Sequence, residues 1–396
     1  MSLSGRRVVL GVSGGIASYK ACTLARRLTE AGAAVDVVLT QSAAEFVRPV
    51  TFEALTGRPV VSSLWDRDRA LAHVHLARDA DLVMIAPATA NLIARAAQGV
   101  ADDVLTALLL ARRGPVVLAP AMNDAMFAHA STVANLALLR RRNWSIVGPA
   151  VGALAEGPSD QPGRMVEPEE LVVHAERALA GATKWSGRRV LVTAGPTREA
   201  LDAVRVLSNR SSGKMGYALA AAAYARGADV MLVSGPTQLP APYGVTVQRI
   251  ETTAELAQAC AKALWESDVV LMAAAPADYK PAKQAKGKPA RSNGARTLSL
   301  EATPDVLEST RSRRKKGSVV VGFALEAEDG LARARGKLSK KGLDLIVLNS
   351  AVENGSGPET DTNRVTLITK SKATKLPMLP KRAVAEKILD VVERLW

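Results

Sequence analysis

The chain is 396 residues long, 48% hydrophobic but only 4% aromatic, with two cysteines and a formal net charge of +14. That length predicts two or three domains with real cores and excludes a peptide-like scaffold, while Cys22 and Cys260, in different halves, exclude a disulfide framework or a zinc spacing. The positive charge is dispersed, and its denser patches, Lys280–Arg291 and Arg311–Lys316, lack the interleaved aromatics or the helix-turn-helix and zinc-finger patterns of nucleic-acid readers; small phosphorylated substrates explain it instead.

Residues 1–5 lead straight into Arg6, Arg7 and a short strand with no apolar signal core, and runs such as Leu105–Ala111 are too short for a bilayer. A cytoplasmic protein without membrane contact is expected. In the first half, strands are predicted at Val8–Val12, Val35–Leu39, Leu82–Ala86, Val116–Ala119 and Ser145–Val147. Helices are predicted between them at Ile16–Glu30, Ala90–Ala97, Asp102–Ala111 and Met126–Arg141. This alternation reads as a doubly wound open sheet. The polar turns Ser13–Gly15, Thr40–Ser42, Pro87–Asn91 and Pro120–Asn123 all follow strands, so they are expected to converge on one rim. The Gly- and Pro-rich stretch Ala150–Arg164 reads as a loop or flap, and helix Glu169–Leu179 closes a domain spanning 1–180. Ala180–Ser186 is expected to be a hinge.

Residues 187–197, GRRVLVTAGPT, nearly repeat residues 5–15, GRRVVLGVSGG: a basic flank, a buried strand, then a turn whose backbone N–H groups suit an anion. A second domain, 187–396, is therefore expected. Its strands are predicted near Val190–Thr193, Val230–Ser234, Val269–Ala273, Val319–Phe323 and Leu345–Leu348. Its helices are predicted near Met215–Arg226, Ala254–Trp265, Leu331–Lys341 and Lys381–Leu395. The fold class is α/β, two doubly wound Rossmann-like domains, the second with a mainly parallel sheet. Lys280–Gly294 has no periodicity and reads as a mobile basic loop; Arg364–Ile368 reads as an antiparallel edge strand.

The rim segments GVSGGIASYKA (Gly11–Ala21), TQSAAEFV (Thr40–Val47), APATANLIA (Ala86–Ala94), ADDVLT (Ala101–Thr106) and PAMNDAMF (Pro120–Phe127) together resemble the flavin-dependent cysteine decarboxylases. The resemblance covers Arg6–Leu179 and implies a flavodoxin-like domain that binds FMN. Ser13, Gly14, Gly15 and Ser42 would hold the phosphate, and Phe46 and the turn Pro87, Ala88, Thr89 and Asn91 would border the ring. In LAHVHLARDADLV the motif's register selects His73 over His75 as the catalytic histidine. Asn123, whose amide both donates and accepts, would act on the substrate, with Met122 and Met126 beside it and Arg164 on its phosphate. In this family the flavin withdraws electrons from the cysteine moiety, so that the carbanion left by CO₂ is delocalised into a thioaldehyde. One departure concerns the flap. Gly157 stands in the place of the family's proton-returning cysteine when the Gly163-Arg164-Met165 ending is aligned without gaps, which leaves Ser159, Asp160 or a water to substitute.

The second half carries AGPTREALDAVRVLSNRSSGKMG (Ala194–Gly216), AAAPADYKP (Ala273–Pro281), TPDVL (Thr303–Leu307), VGFALE (Val321–Glu326) and KLSKKGLDLIVLN (Lys337–Asn349). It is similar to the phosphopantothenate–cysteine ligases, and the order of the halves resembles the bacterial fusion family of coenzyme A synthesis, which joins that ligase to a phosphopantothenoylcysteine decarboxylase. The resemblance implies CTP as co-substrate, Mg²⁺, and an acyl-cytidylate that cysteine's amine displaces. It makes Asn209 and Lys288 catalytic, Arg205 and Ser212 substrate-binding, and Ala274, Asp278, Phe323, Lys337 and Lys341 nucleotide-binding. Lys337 and Lys341, four apart, would share a helix face. The usual K-x-K-K pattern is reduced here to Lys288-Pro-Ala-Arg291. For Asn209 the structural alternative is a helix N-cap. No metal ligands are indicated. The resemblance also implies homo-oligomers, with trimeric decarboxylase and dimeric ligase contacts building a dodecamer. The alternative function is a flavoprotein scaffold with only the ligase active.

Overall fold

The computed structural model describes residues 3–65, 71–285, 287, 297–326, 330–350, 355–357 and 359–396, and divides into two units, Met1–Gly181 and Ala182–Trp396.

In the first unit the chain runs β1 (Arg7–Val12), α1 (Ser18–Glu30), β2 (Ala34–Leu39), α2 (Gln41–Ala44), α3 (Pro49–Thr56), α4 (Ala72–Asp79), β3 (Leu82–Ala88), α5 (Ala90–Gln98), α6 (Val104–Ala111), β4 (Val116–Pro120), α7 (Asp124–Ala128), α8 (Ala130–Arg141) and β5 (Ser145–Ile146). A flap then pairs β6 (Ala150–Val151) antiparallel with β7 (Pro162–Arg164), and α9 (Pro168–Ala180) follows. The strands form a parallel sheet in the order β2-β1-β3-β4-β5. Successive side chains of a strand point to opposite faces, which here feed two cores. Val8, Leu10 and Val12 pack with Leu24, Leu28 and Leu171 of α1 and α9, whereas Val9 packs with Leu92, Leu105 and Leu136 of α5, α6 and α8. Because β1 leads to β2 on one side and its other neighbour, β3, leads to β4 on the other, the connections leaving their carboxyl ends diverge and open a crevice there.

The second unit runs β8 (Arg189–Ala194), β9 (Arg198–Ala200), β10 (Val206–Ser208), α10 (Lys214–Ala225), β11 (Asp229–Ser234), β12 (Thr246–Arg249), α11 (Thr253–Ala263), β13 (Val269–Met272), β14 (Tyr279–Pro281), β15 (Leu300–Ala302) and α12 (Val306–Ser309). It continues with β16 (Val319–Glu326), α13 (Gly330–Lys340), β17 (Leu345–Ser350), β18 (Thr362–Asn363), β19 (Val365–Thr369), β20 (Ala373–Lys375), β21 (Leu379–Pro380) and α14 (Lys381–Val392). Its large sheet has the order β12-β11-β8-β13-β16-β17-β19-β20, parallel through β17 and antiparallel beyond. The parallel part is the doubly wound order 3-2-1-4-5-6, with its switch between β8 and β13.

Several expectations change. The helix expected over Met126–Arg141 is two helices, because His129 adopts an extended conformation (φ −61°, ψ 135°) and its Nδ1 accepts the Ser131 N–H at 3.2 Å, starting a new helix. Val365–Thr369 is antiparallel as expected but is not an edge, since β20 pairs along its outer side. The stretch expected as a hinge is tied down from Thr183 onward: the Thr183 hydroxyl donates to the Arg226 carbonyl at 2.5 Å, and Trp185 is 1% exposed. His73 lies on a helix, α4, between the turns that follow β2 and β3. The basic loop begins with a strand, β14, paired antiparallel with β15; positions 286 and 288–296 lie outside the described residues. In the Arg311–Lys316 patch, Lys315 pairs with Asp268 at 2.6 Å and Arg314 donates to the carbonyls of Leu307, Lys341 and Gly342. Among the described residues, no helix is long and apolar enough to cross a membrane.

Candidate active sites

At the carboxyl ends of β1, β3 and β4 the first unit holds a cavity of about 640 Å³. It brings together most of the residues marked in the sequence: Gly14, Gly15, Ser42, Thr89 and Asn91 on one side, and Met122, Asn123, Met126 and Arg164 on the other. The β1 turn is braced from behind. The buried Ser13 hydroxyl donates to the Pro87 carbonyl at 2.9 Å and accepts the Thr89 N–H at 3.0 Å, so Ser13 fixes the ends of β1 and β3 against each other. Gly14 approaches Ser42 so closely that an added Cβ would lie 2.5 Å from the serine Cβ and Oγ. Ser42 Oγ is 3.2 Å from the Thr40 hydroxyl, whose oxygen also caps α2.

Asn123 caps α7. Its Oδ1 accepts from the N–H groups of Ala125 (2.9 Å) and Met126 (3.3 Å), which turns its Nδ2 toward the flap, where it donates to Glu156 Oε1. The acceptor half of the amide is therefore already used. The flap, through Ala153, Leu154, Ala155 and Glu156, forms one wall of the cavity, and Gly163 anchors it: Met122 N donates to the Gly163 carbonyl at 3.0 Å, and a Cβ at Gly163 would meet the Met122 carbonyl oxygen at 2.6 Å.

Some expected residues stand elsewhere. Pro87 and Ala88 are buried inside β3, and their carbonyls are spent on Ser13 and on the Ala121 N–H. Phe46 is 51% exposed, and neither it nor His73, half-buried on α4, lines the cavity. Ser159 donates to Asp124 Oδ2 at 2.6 Å, and neither Ser159 nor Asp160 lines the cavity. Lys20 was missed. It lines the cavity from α1 at 7% exposure, and its Nζ donates to the Met165 carbonyl (3.0 Å) and to Glu167 (3.1 Å), which also receives Arg164.

In the second unit, three glycines meet at the ends of β8 and β11 and at the start of α10. Gly235 packs on the Pro196 carbonyl, where a Cβ would lie 1.7 Å from the oxygen, and Gly213 (φ +77°) packs on the Gly195 backbone. Beside them lies a cleft of about 830 Å³ that includes Ser211, Ser212, Lys214, Thr237, Arg198 and Arg249, with Glu251 and Glu255. Ser212 is the expected residue that lines it. Gly213, not Asn209, is the N-cap of α10. Asn209 instead reaches across to the turn after β13, donating from Nδ2 to the carbonyls of Pro276 (2.8 Å) and Ala275 (3.4 Å), the stretch that also carries Ala274 and Asp278.

Arg205 is held by Asp202 at 2.6 Å. That carboxylate also accepts the N–H groups of Val204 and Arg205, both at 2.8 Å. The Val204 N–H first, then the Arg205 guanidinium, lower the Asp202 pKa to about 2. Phe323 is half-buried in β16, and Lys337 lies on the exposed side of α13. Lys341 sits one residue past α13 and pairs with Asp305 at 2.8 Å, so the two lysines do not share a helix face free for a triphosphate. Burial pushes the Asp305 carboxyl up, but Lys341 and the Glu308 N–H outweigh it and leave it low. Lys288 lies outside the described residues. Arg198, Lys214 and Arg249 are the basic groups that the motifs did not single out.

Residues 1–179 match the family described as Flavoprotein, and residues 185–395 match that described as DNA/pantothenate metabolism flavoprotein C-terminal domain. The chain is 45% identical over 395 residues to the coenzyme A biosynthesis bifunctional protein CoaBC of Vibrio cholerae, covering 99% of this chain and 98% of that protein. To the protein of the same description from Bacillus subtilis it is 42% identical over 399 residues, covering 99% and 98%. A crystal structure of the C-terminal domain of a coenzyme A biosynthesis bifunctional protein CoaBC is 37% identical and covers 54% of this chain and 98% of its own, with a TM-score of 0.46.

Proposed function

The chain belongs to the coenzyme A biosynthesis bifunctional family, with a flavoprotein decarboxylase half and a phosphopantothenate–cysteine ligase half, and we propose how its pockets divide that work. The observation that carries the reading is the first cavity, where the turn suited to an anion, the Asn123 amide and a basic rim face one space of a size that ligand pockets have.

The residues of that cavity fit FMN. Gly14 leaves no side chain between the turn and Ser42, backbone N–H groups at the start of the thirteen-residue α1 suit a phosphate, and Thr89 and Asn91 border the space for a ring. The bound flavin supplies a reversible two-electron sink, which a carboxylate without an activating group needs before it can leave as CO₂. Asn123 directs its Nδ2 at the substrate's carboxylate or amide, Met122 and Met126 cover its apolar part, and Lys20 and Arg164 attract its phosphate. His73 stands outside its own chain's cavity; in the trimer that we propose, it serves a neighbouring copy, orienting or deprotonating the substrate thiol.

In the ligase half the carboxylate of 4′-phosphopantothenate attacks the α-phosphate of CTP, pyrophosphate leaves, and cysteine's amine displaces CMP from the acyl-cytidylate. The cleft around Ser212, with Arg198, Lys214 and Arg249, takes the phosphorylated acid. Asn209, joining that side to the Ala274–Asp278 turn, holds the acyl-nucleotide, with the nucleotide over Ala274, Asp278 and Phe323, and Lys288, Lys337 and Mg²⁺ about the phosphates. Fixed donors at such an oxyanion are worth about 10²–10³ in rate each. Ligase dimers and decarboxylase trimers would assemble together in the cytoplasm.

The test is direct. Purified protein given 4′-phosphopantothenate, cysteine, CTP and Mg²⁺ should be yellow and release pyrophosphate and CO₂ in equal amounts. Pyrophosphate without CO₂, or activity with ATP equal to that with CTP, would overturn the corresponding half of the reading.

A further inference from the structure

A decarboxylation that ends in a saturated product needs a proton on the carbon that lost CO₂, and the groups lining the first cavity limit where it can come from. The ionisable residues there are Tyr19, Lys20, Glu156 and Arg164. Arg164 does not deprotonate in a protein, and the Lys20 ammonium is already directed at the Met165 carbonyl and Glu167. Glu156 is the one carboxyl group among the described residues lining the cavity. It sits at the tip of the flap, in a turn closed by reciprocal bonds from Leu154 N to the Gly157 carbonyl (2.8 Å) and from Gly157 N to the Leu154 carbonyl (3.2 Å). Asn123 Nδ2, held in direction by the two N–H groups on its oxygen, donates to the carboxyl from the start of α7. Gly157, next in the chain, offers no side chain at all.

We propose that Glu156 is the proton donor that completes the decarboxylation, an assignment that rests on the decarboxylase reading of this cavity. Departure of CO₂ leaves its electron pair on the former α carbon, conjugated with sulfur as an enethiolate. The Glu156 carboxylic acid gives its proton to that carbon: its O–H bond breaks, a C–H bond forms, and the carbon–carbon double bond becomes a carbon–sulfur double bond. A bound flavin would supply the hydride equivalent that reduces this thioaldehyde to the thiolate. Water returns a proton to the Glu156 carboxylate.

The experiment uses the full chain with bound flavin, without oxygen, supplied with 4′-phosphopantothenoylcysteine and followed by CO₂ release, flavin colour and product mass. Wild type should turn over repeatedly to 4′-phosphopantetheine. Glu156→Gln should release about one CO₂ per bound flavin, leave the flavin bleached, and accumulate the enethiol, lighter than the normal product by two hydrogens. Formation of the saturated product should slow by about 10²–10⁴-fold. Glu156→Cys, which puts another acidic proton at the same place, should restore the saturated product. Normal turnover by Glu156→Gln overturns the assignment while leaving the decarboxylase reading intact. Loss of the CO₂ burst in a Glu156→Gln protein that keeps its flavin also overturns it, because the side chain then serves only to latch the flap; so does enethiol accumulating in Glu156→Cys. No CO₂ from wild type overturns both readings.

Discussion

Gly14 and Ser42 meet without room for a methyl group: a Cβ on the glycine would lie 2.5 Å from both the Cβ and the Oγ of the serine. Two strand-end turns, separate in sequence, thus form one floor under the first cavity. Gly14→Ala forces them apart at a cost of about 1–3 kcal/mol. The expected result is a pale protein, its flavin content per chain reduced about tenfold or more, with CO₂ release lost in proportion and pyrophosphate release unchanged. Flavin absorbance against protein concentration, with both product assays, checks this.

Two substitutions should separate the two steps. Asn209→Asp replaces the donor at the Pro276 carbonyl, now 2.8 Å away, with an oxygen that repels it. Ligation should fall by about 10²–10³-fold while externally supplied 4′-phosphopantothenoylcysteine is still decarboxylated. His73→Asn should do the reverse, cutting CO₂ release by about 10²–10⁴-fold with pyrophosphate release intact. Mixing His73→Asn with Asn123→Ala subunits should recover part of the CO₂ release if His73 acts across a subunit boundary; no recovery would place it in its own chain's site. Product masses and subunit-exchange kinetics are the measurements.

Acid should weaken the second unit through Asp202. Its carboxyl titrates at about 2 when folded, against about 3.9 in an unfolded chain, so its stabilising contribution is complete above the unfolded value and disappears as pH falls through the folded one. In Asp202→Asn the stability difference from wild type should therefore be full near pH 6 and shrink between about pH 4 and pH 2. Urea midpoints of the second unit across that range check the sign.

Neither cysteine should contribute to proton return. Burial pushes the Cys260 thiol up to about 12, and Cys22, half-buried on α1, is also raised by burial. Native protein treated with iodoacetamide near pH 7 should label slowly at Cys22 and not at Cys260. The Cys22→Ser, Cys260→Ala double variant should keep at least about half of its CO₂ release. Peptide mapping and the CO₂ assay decide it.

The strand-end turns were readable because each follows a continuous apolar run and needs Gly, Ser, Thr or Asn for its backbone, so composition and position agree. Where side chains rather than backbone set the structure, the sequence said less. His129 breaks a helix by capping with its ring, a device with no Pro or Gly to mark it. Lys20 looked like an ordinary helix lysine, but it lies four residues before Leu24 and eight before Leu28, on the apolar stripe, and a lysine there has to find partners inside. Glu156 follows Ala153, Leu154 and Ala155 in a Gly-rich flap, and nothing in that short run sets it apart from Asp160 four residues on. Arg198, Lys214 and Arg249 come from three separate segments, and only folding brings them to one cleft.

In the second unit, the indole of Trp185 lies edge-on to that of Trp396, with centroids 4.7 Å apart, and the Arg188 guanidinium stacks on Trp396. The entrance and the exit of this unit are thereby buttoned together. A purification handle or a surface linkage joined behind Trp396 would pull on the same fastening that keeps α14 seated, so attachment at the opposite end of the polypeptide is the gentler choice. The paired indoles also furnish a built-in optical gauge, since their emission should change as soon as that clasp opens.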